Sequence, residues 1–309
     1  DTMPNWAGSS WYFLRYTDPQ NDKEFASKEA LDYWTPVDWY NGGMEHTTLH
    51  LLYSRFWHKF LYDCGYVPTS EPYMKRTSHG MVLGSNGEKM SKSRGNVVNP
   101  DDYIPVYGAD SFRTYIMFMG AFDQPIPWNE QGTRGCRRFL DRVWTLQEMV
   151  QGEGDTDADQ KRAVHATIKK VGEDYERMKF NTAIASMMSL TNDFYAKGRL
   201  TKDELHTLIL LLAPVAPHLC EEINERLGYA PLQNAAWPGY DESALVEDVV
   251  EYGVQVNGKV RARVTLSASM DTKAVETAAL ACEDIKPFLE GKSVKKVIVV
   301  RNIVNIVVA

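Results

Sequence analysis

The chain has 309 residues, of which 44% are hydrophobic and 24% are charged, and its formal net charge is −7. This length predicts two or three domains with buried cores, and the composition is that of an ordinary globular protein. No apolar run is long enough to span a bilayer, so no membrane partner is expected. The four cysteines form no Cys-x-x-Cys pair, which argues against a zinc knuckle or a disulfide scaffold and favours a cytoplasmic location.

Residues 1–128 are rich in aromatic residues, Gly and Pro, and alternating strand and helix patterns predict an α/β domain. A helix is predicted over residues 47–62, with a second helix beginning near Asp110. The first helix has an apolar stripe at helical spacing, which predicts a buried face. The residues of this stripe are Leu49, Leu52, Tyr53, Phe56 and Phe60. The run from Met81 to Leu83 is typical of a short strand.

Residues 129–245 have helical periodicity throughout and predict a bundle of four to five helices. Thr201 and Glu204 form a capping-box pattern at the start of a very apolar helix. Pro214 and Pro217 interrupt that helix, and Gly228 is a predicted C-cap. Residues 152–155 are a predicted loop between two helices.

Residues 246–309 predict a small α+β domain. Asn257 and Gly258 separate two alternating runs, which is a strong hairpin signal, and Asp271 is a predicted helix cap. Strands are predicted over 294–300 and 303–308. From residue 253 onwards the chain has nine Lys or Arg and five Asp or Glu, a net charge of +4. This excess fits either a contact with a phosphate backbone or a well-solvated small domain.

A cationic loop follows a turn-rich segment at residues 84–87. Lys89, Ser91, Lys92 and Ser93 combine ammonium groups and hydroxyls within five positions, and such groups can bind the oxygens of a polyphosphate. A solvated basic loop is the alternative, and composition alone favours it. The order Lys-Met-Ser-Lys-Ser, however, resembles the second signature loop of class I aminoacyl-tRNA synthetases, which binds ATP.

Two further segments carry candidate site residues. Gly42 and Gly43 permit close approach of a ligand, and Glu45 and His46 follow them at a loop-to-helix junction. His46 and His50 are spaced to share a helix face, but no third ligand lies at an obvious spacing, so zinc is not predicted. For His50 an ordinary buried histidine is the preferred interpretation. Aromatic and small polar residues around Ser9 and Tyr12 fit either core packing or the wall of an apolar pocket.

Taken together, these segments are similar to those of bacterial-type leucyl-tRNA synthetases, over essentially the whole chain. The segments that carry the resemblance are Asp1-Thr2-Met3-Pro4, Gly8-Ser9-Ser10-Trp11-Tyr12, Pro36-Val37-Asp38, Gly42-Gly43-Met44-Glu45-His46, Leu49-His50-Leu51-Leu52-Tyr53, Gly80-Met81-Val82-Leu83, the Lys-Met-Ser-Lys-Ser loop, Tyr107-Gly108-Ala109-Asp110, Lys179-Phe180-Asn181-Thr182-Ala183-Ile184, Ala216-Pro217-His218-Leu219 and Val254-Gln255-Val256-Asn257-Gly258-Lys259-Val260-Arg261. The stretch around Glu45, His46 and His50 points to leucine over isoleucine or valine.

The resemblance implies a multidomain α/β plus all-α chain. Residues 1–128 would be the second half of a Rossmann-type catalytic domain, 129–245 a helical-bundle tRNA-binding domain, and 246–309 a small α+β domain that contacts tRNA. The implied ATP and adenylate residues are Lys89, Ser91, Lys92, Gly42, Gly43, Glu45, Met81 and Val82, with Lys89 and Lys92 as the catalytic pair. The implied leucine pocket consists of Met3, Ser9, Tyr12 and His46. The implied substrates and partners are ATP with substrate-borne Mg²⁺, leucine and tRNA(Leu), with no protein-bound metal.

The chain departs from the family pattern in two respects. The other class signature, His-x-Gly-His, does not occur in the sequence, and His79 stands where the family often has Gln. The resemblance is therefore to the C-terminal portion, without the first Rossmann half and the editing domain. We expect that this chain alone does not form leucyl-adenylate and that the missing N-terminal catalytic half or subunit is a partner. We also expect that a partner chain or crystal neighbour covers an apolar sheet edge. A non-catalytic tRNA-binding or regulatory module, or a ligase for isoleucine, valine or methionine, are the alternatives.

Overall fold

The computed structural model describes residues 6–152, 157–245, 249–268 and 270–309. The chain forms two compact units, Asp1–Tyr240 and Asp241–Ala309. The fold is mixed α/β with an all-helical part, as predicted, whereas the further boundary near residue 128 stays a prediction. Met3 and residues 153–155 of the predicted loop lie outside the described residues.

The first half of the larger unit consists of short parallel strands connected through helices. Its helices and strands are α1 (Tyr12–Arg15), α2 (Lys28–Trp34), β1 (Tyr40–Gly43), α3 (His50–Asp63), β2 (Arg76–His79), β3 (Val82–Leu83), α4 (Pro100–Tyr107), α5 (Ala109–Phe118) and β4 (Ile126–Pro127). Strand β1 pairs with β2 and β3 pairs with β4, both in parallel. Parallel neighbours need a long crossover, which α3 supplies for the first pair and α4 with α5 for the second.

Helix α3 corrects one sequence prediction. Its predicted apolar stripe is mostly exposed: Phe56 is 72% exposed, Leu52 56% and Phe60 52%. The buried residues are instead His50, Ser54 and His58. These polar side chains tolerate burial because each forms a hydrogen bond inside the unit, and they take the face against the rest of the fold.

The predicted apolar sheet edge is also wrong for this pair of strands. Strand β1 has the sequence Tyr-Asn-Gly-Gly and only four residues, so it is short and contains little apolar side chain. The apolar surface that the sequence led us to expect lies on α3 and not on the sheet. Exposed apolar side chains on a helix leave no unpaired backbone groups, which distinguishes this surface from an edge strand.

The helical part is a five-helix bundle, as predicted. Its helices are α6 (Glu130–Thr145), α7 (Ala158–Glu176), α8 (Phe180–Lys197), α9 (Lys202–Leu212) and α10 (Pro217–Arg226). Thr201 and Glu204 form the predicted capping box, and Gly228 adopts a φ of +74° just after α10. The core is apolar and continuous, with side chains such as Ile184, Leu208 and Phe194 fully buried. Among the described residues, no helix has the length and apolarity that crossing a membrane requires.

The smaller unit is a four-stranded sheet covered by helices. Its elements are β5 (Val249–Val256), β6 (Lys259–Ser267), α11 (Thr272–Ala281), α12 (Lys286–Leu289), β7 (Val294–Val300) and β8 (Ile303–Val308), with strand order β6-β5-β8-β7. The predicted hairpin is present, with Asn257 and Gly258 at positive φ. Val254, Val304, Val275 and Ala279 form its buried core.

Candidate functional site

The cationic loop is a compact turn held by its own side chains. A bridge between Leu83 and Lys89 closes the segment that precedes it. The amide of Ser91 donates to Asn96 Oδ1 at 2.9 Å, and Asn96 Nδ2 donates to the Lys89 carbonyl at 3.3 Å. One asparagine therefore binds the backbone on both sides of Met90 and gives the loop a defined shape without a strand or a long helix.

The loop presents its two lysines to solvent without acidic partners. Arg94 forms an ion pair with Glu88 at 3.1 Å. Lys89 and Lys92 are exposed, and within the part of the chain that the structure describes neither ammonium lies in an ion pair. Because a paired cation is already neutralised, Lys89 and Lys92 are the two of the three cations at residues 89–94 that offer uncompensated positive charge to an anionic ligand.

Gly42, Gly43 and Glu45 lie at the carboxyl end of β1. Gly42 stands opposite Ser78 and Gly43 opposite His79 in the parallel pair, so the chain leaves both strands at the same edge. Ligands of open α/β sheets bind beyond this edge. A Cβ atom built on Gly43 would lie 2.3 Å from Glu45 Oε2, so the Glu45 carboxylate would have to move if this residue carried a side chain.

Met81 and Val82 follow the carboxyl end of β2. The amide of Gly80 donates to the Phe122 carbonyl at 2.7 Å, and the Met81 carbonyl accepts from the Ile126 amide at 3.0 Å. A Cβ atom on Gly80 would lie 1.9 Å from the Gln124 carbonyl oxygen, so backbone meets backbone directly here. A largely apolar cleft of about 170 Å³ borders this segment and extends to Phe180 of the bundle.

Ser9, Tyr12 and His46 surround one buried histidine, His50. The Nε2 atom of His50 donates to the Ser9 carbonyl at 2.7 Å. The His50 ring centroid lies 5.9 Å from that of Tyr12 and 6.4 Å from that of His46. Three of the four predicted leucine-pocket residues are therefore neighbours, although the chain separates Ser9 from His46 by 37 positions.

The protonation state of His50 follows from its partners. A carbonyl oxygen only accepts, so Nε2 carries the hydrogen, and the Tyr40 hydroxyl then donates to Nδ1 at 2.9 Å. Burial lowers the pKa of His50 and raises that of Tyr40, which keeps both groups neutral at pH 7. This confirms the preferred interpretation of His50 as a buried, hydrogen-bonded histidine.

Sequence reasoning overlooked two residues that organise the site. Tyr40 holds His50 from β1, and Asn96 holds the cationic loop. Tyr40 lies two positions before Gly42, and Asn96 directly follows Gly95 at the end of the loop. Their closeness to these motifs was the only sequence signal for either residue. The cationic loop shares no hydrogen bond or ion pair with the Ser9–His50 group in the described ranges. Over the same residues, no three His, Cys, Asp or Glu side chains are grouped to hold a metal ion.

The smaller unit has five of its basic residues on the two outer strands of the sheet. Lys259, Arg261 and Arg263 lie on β6 and Lys295 and Lys296 on β7, all of them exposed. Arg263 pairs with Glu251 at 2.9 Å, and Arg261 stacks on Phe288. Charged edge strands prevent edge-to-edge aggregation, and the same charges suit a phosphate backbone, so the distribution is compatible with both roles.

Comparison with protein families identifies two parts of this architecture. Residues 9–127 match the model of class I tRNA synthetases for isoleucine, leucine, methionine and valine. Residues 161–276 match the model of the anticodon-binding domain of tRNA ligases. The chain is also 57% identical over 310 residues to a leucine–tRNA ligase of Alkaliphilus oremlandii (strain OhILAs). Over its whole length the chain is thus similar to a portion of a leucine–tRNA ligase.

Structural comparison agrees with this similarity. The chain is similar to the agnB2 LeuRS of Agrobacterium radiobacter K84, whose crystal structure is a ternary complex with tRNA and LeuAMS. The TM-score is 0.81 at 34% identity. The similarity covers 100% of this chain and 43% of that protein, and 39% of the Alkaliphilus oremlandii relative. The chain thus spans about two fifths of the length of its synthetase relatives.

Proposed function

We propose that this chain supplies the phosphate-binding loop, part of the adenylate and leucine sites, and the tRNA-binding domains of a leucine–tRNA ligase. The complete enzyme activates leucine with ATP and transfers it to tRNA(Leu), in the cytoplasm. The free ammonium groups of Lys89 and Lys92 on a loop of defined shape carry this proposal. The similarity to a leucine–tRNA ligase supplies the reaction.

The chemistry needs positioned cations more than covalent catalysis. A leucine carboxylate oxygen attacks the α-phosphorus of ATP, the bond from that phosphorus to the bridging oxygen breaks, and pyrophosphate leaves with its negative charge. Lys89 and Lys92 stabilise this developing charge, and Mg²⁺ arrives with the nucleotide. Ser91, whose hydroxyl contacts that of Ser93 at 2.8 Å, contributes a further donor to the phosphate oxygens.

The adenylate and leucine are held at the carboxyl ends of β1 and β2. In this proposal Gly42, Gly43 and Glu45 contact the adenosine part, and the backbone at Met81 and Val82 supports the base. Leucine lies against Ser9, Tyr12 and His46, with Met3 as a further wall. His50 supports this arrangement because its two ring nitrogens hold Ser9 and Tyr40 in fixed positions. An apolar pocket separates amino acids that differ by one methylene by only about 1–3 kcal/mol.

The helical bundle and the smaller unit are proposed to hold tRNA. The match of residues 161–276 to an anticodon-binding domain supports this role. The lysines on the outer strand β7 also support it, because they are exposed and form no ion pair with any residue that the structure describes. The tRNA in the Agrobacterium radiobacter complex belongs to that protein, and its relation to this chain is part of the proposal.

The exposed face of α3 is proposed to bind the first half of the catalytic domain. Phe56, Leu52 and Phe60 are each more than half exposed and follow one helical face. Large apolar side chains grouped in this way mark an interaction surface. The relatives are more than twice as long as this chain, so additional catalytic-domain sequence is a fitting occupant. Alone, the chain is proposed to be unable to form leucyl-adenylate.

A chimera tests the proposal directly. This chain replaces the corresponding 39% of the Alkaliphilus oremlandii leucine–tRNA ligase, and leucine-dependent ATP–pyrophosphate exchange is measured. We expect exchange in the chimera and none with the isolated chain. Lys92→Ala should reduce kcat by about 100-fold or more, as removal of one charge-stabilising donor does elsewhere. Arg94→Ala is the matched control, because it removes a cation from the same loop that is already paired with Glu88.

The alternatives give different results in the same assays. If isoleucine, valine or methionine supports faster exchange than leucine, the chain serves another member of the class. A second outcome would be that Lys92→Ala changes neither the affinity of the chain for tRNA nor the ATP–pyrophosphate exchange rate of the chimera. In that case the chain is a tRNA-binding module without a catalytic role. Exchange by the isolated 309 residues would contradict the proposed need for a further catalytic half.

A further inference from the structure

Helix α10 begins without a capping residue of its own. Ala216 precedes it and has no side-chain acceptor, and Pro217 has no amide hydrogen, so the first amides that need an acceptor are those of His218 and Leu219. Both receive one from Asp110, at the start of α5. The His218 amide donates to Asp110 Oδ1 at 3.4 Å, and the Leu219 amide donates to Oδ2 at 2.6 Å.

The His218 ring adds a third hydrogen bond to the same carboxylate. Its Nδ1 atom donates to Asp110 Oδ1 at 2.8 Å. Asp110 is only 8% exposed, so its charge is stabilised mainly by these donors and by the positive end of α10. A side chain that lies 108 positions earlier in the sequence thus does the work of a helix cap.

One turn further along α5, Arg113 makes the complementary contact. Its guanidinium donates to the Val215 carbonyl at 3.3 Å and to the Pro214 carbonyl at 3.0 Å. These carbonyls lie in the joint between α9, which ends at Leu212, and α10. Asp110 therefore binds the positive amino end of α10, and Arg113, three positions later on α5, binds carbonyl oxygens just after the negative carboxyl end of α9.

The other face of α5 packs under the cationic loop. Tyr115 is buried together with Trp128 and Cys136, and Met90 and Val98 pack against this cluster. Met90 lies between Lys89 and Ser91. The ten-residue helix α5 thus shares an apolar cluster with the loop on one face and binds the joint between α9 and α10 on another.

We propose that Asp110 and Arg113 are positioning residues, which fix the helical bundle to the cationic loop through α5. In the proposed synthetase this attachment keeps the tRNA-binding bundle in register with the ATP-binding loop. The inference rests on the proposed function for its biological meaning, but the physical coupling is a property of this chain. Loss of the Asp110 contacts or of the Arg113 contacts with the joint loosens the cationic loop, although neither residue contacts that loop.

Hydrogen exchange of the intact chain, without nucleotide or tRNA, tests the coupling. In Asp110→Asn we expect amides at the start of α10 to exchange about 10-fold faster or more. One of the two acceptor oxygens becomes an amide nitrogen that cannot accept, and the negative charge is lost. Amides of residues 89–96 should also exchange faster. About threefold is the smallest increase that we expect from coupling between Asp110 and the loop. Arg113→Met is the second variant and should loosen the same loop. Asp141→Asn is the matched control, because Asp141 is an exposed carboxylate on α6 paired only with Arg137 among the described residues.

The outcomes separate positioning from local capping. Faster exchange at α10 with an unchanged loop in both variants would overturn the proposal, as would no change at either place. The proposal also fails if the exchange rate of the loop amides increases no more than that of the amides in α7 and α8. Such a result would indicate general destabilisation of the larger unit. None of these readouts needs catalysis, so the result is independent of whether the chimera forms leucyl-adenylate.

Discussion

Replacing Gly80 with alanine should damage the proposed adenylate segment specifically. The added Cβ would lie 1.9 Å from the Gln124 carbonyl oxygen and 2.2 Å from its carbonyl carbon. Ordinary contact between carbon and oxygen is about 3.2 Å or more, so backbone must move by more than about 1 Å, and no flexible side chain can absorb the change. The movement breaks the 2.7 Å hydrogen bond from Gly80 to Phe122 and strains the neighbouring pairing of Met81 with Ile126.

The expected loss is about 2–4 kcal/mol in the free energy of unfolding of the larger unit. Overpacking at a tight site costs about 1–3 kcal/mol, and a lost hydrogen bond adds about 1 kcal/mol. Gly135→Ala is a matched control with the opposite sign. Gly135 lies inside α6 with nothing within 4 Å of a built Cβ, so alanine there should stabilise by about 0.5–1 kcal/mol.

Urea denaturation followed by tryptophan fluorescence measures both variants. The Trp128 amide donates to the Leu83 carbonyl at 2.9 Å, at the end of the β3–β4 pairing, and Trp128 also lies in the apolar cluster with Tyr115. If Gly80→Ala unfolds at the same urea concentration as the original chain, the close backbone contact does not exist in solution. If Gly135→Ala is as destabilising as Gly80→Ala, the effect is not specific to the Gln124 contact.

Three further predictions concern stability. Burial lowers the pKa of His50 and His58 below 6.5, so the unfolded chain binds more protons than the folded chain as the pH falls. The stability that the two neutral histidines contribute is therefore complete above pH 6.5 and is lost at lower pH. The urea midpoint should be lower at pH 5.5 than at pH 7.5. Thr201→Ala should cost about 1 kcal/mol while Thr201→Ser is tolerated, as thermal denaturation can show. Phe56→Ser should change the stability of this chain by less than about 0.5 kcal/mol, and a larger loss in denaturation would mean that α3 is covered within the chain.

Elements with local signals could be predicted from the sequence. The strands Val294–Val300 and Ile303–Val308 have the predicted bounds, and the Asn257–Gly258 turn and the Thr201 capping box are where their residues predicted them. Each depends on interactions within about four positions, or on strict alternation, which the sequence displays directly.

Contacts between distant polar groups could not be predicted in this way. His50 holds Ser9 across 41 positions, and Asp110 caps a helix 108 positions away. Hydrogen bonds of this kind have no periodicity, because their partners come from separate elements and one residue of each suffices. The family resemblance nevertheless grouped Ser9, Tyr12 and His46 as one predicted pocket. That grouping came from the motifs of the family and not from any physical signal in this sequence.

The error at α3 has a physical meaning of its own. An amphipathic stripe predicts that a face will be buried, but it does not state by what. In this chain the polar face with His50 and His58 is buried, and the aromatic face with Phe56 and Phe60 is exposed. A helix gains little by leaving those rings in water, whereas covering them with apolar surface would contribute about 1.5–3 kcal/mol for each fully buried ring. The pattern therefore supports the proposal that additional polypeptide covers the aromatic face of α3, whereas the polar face is already buried within this chain.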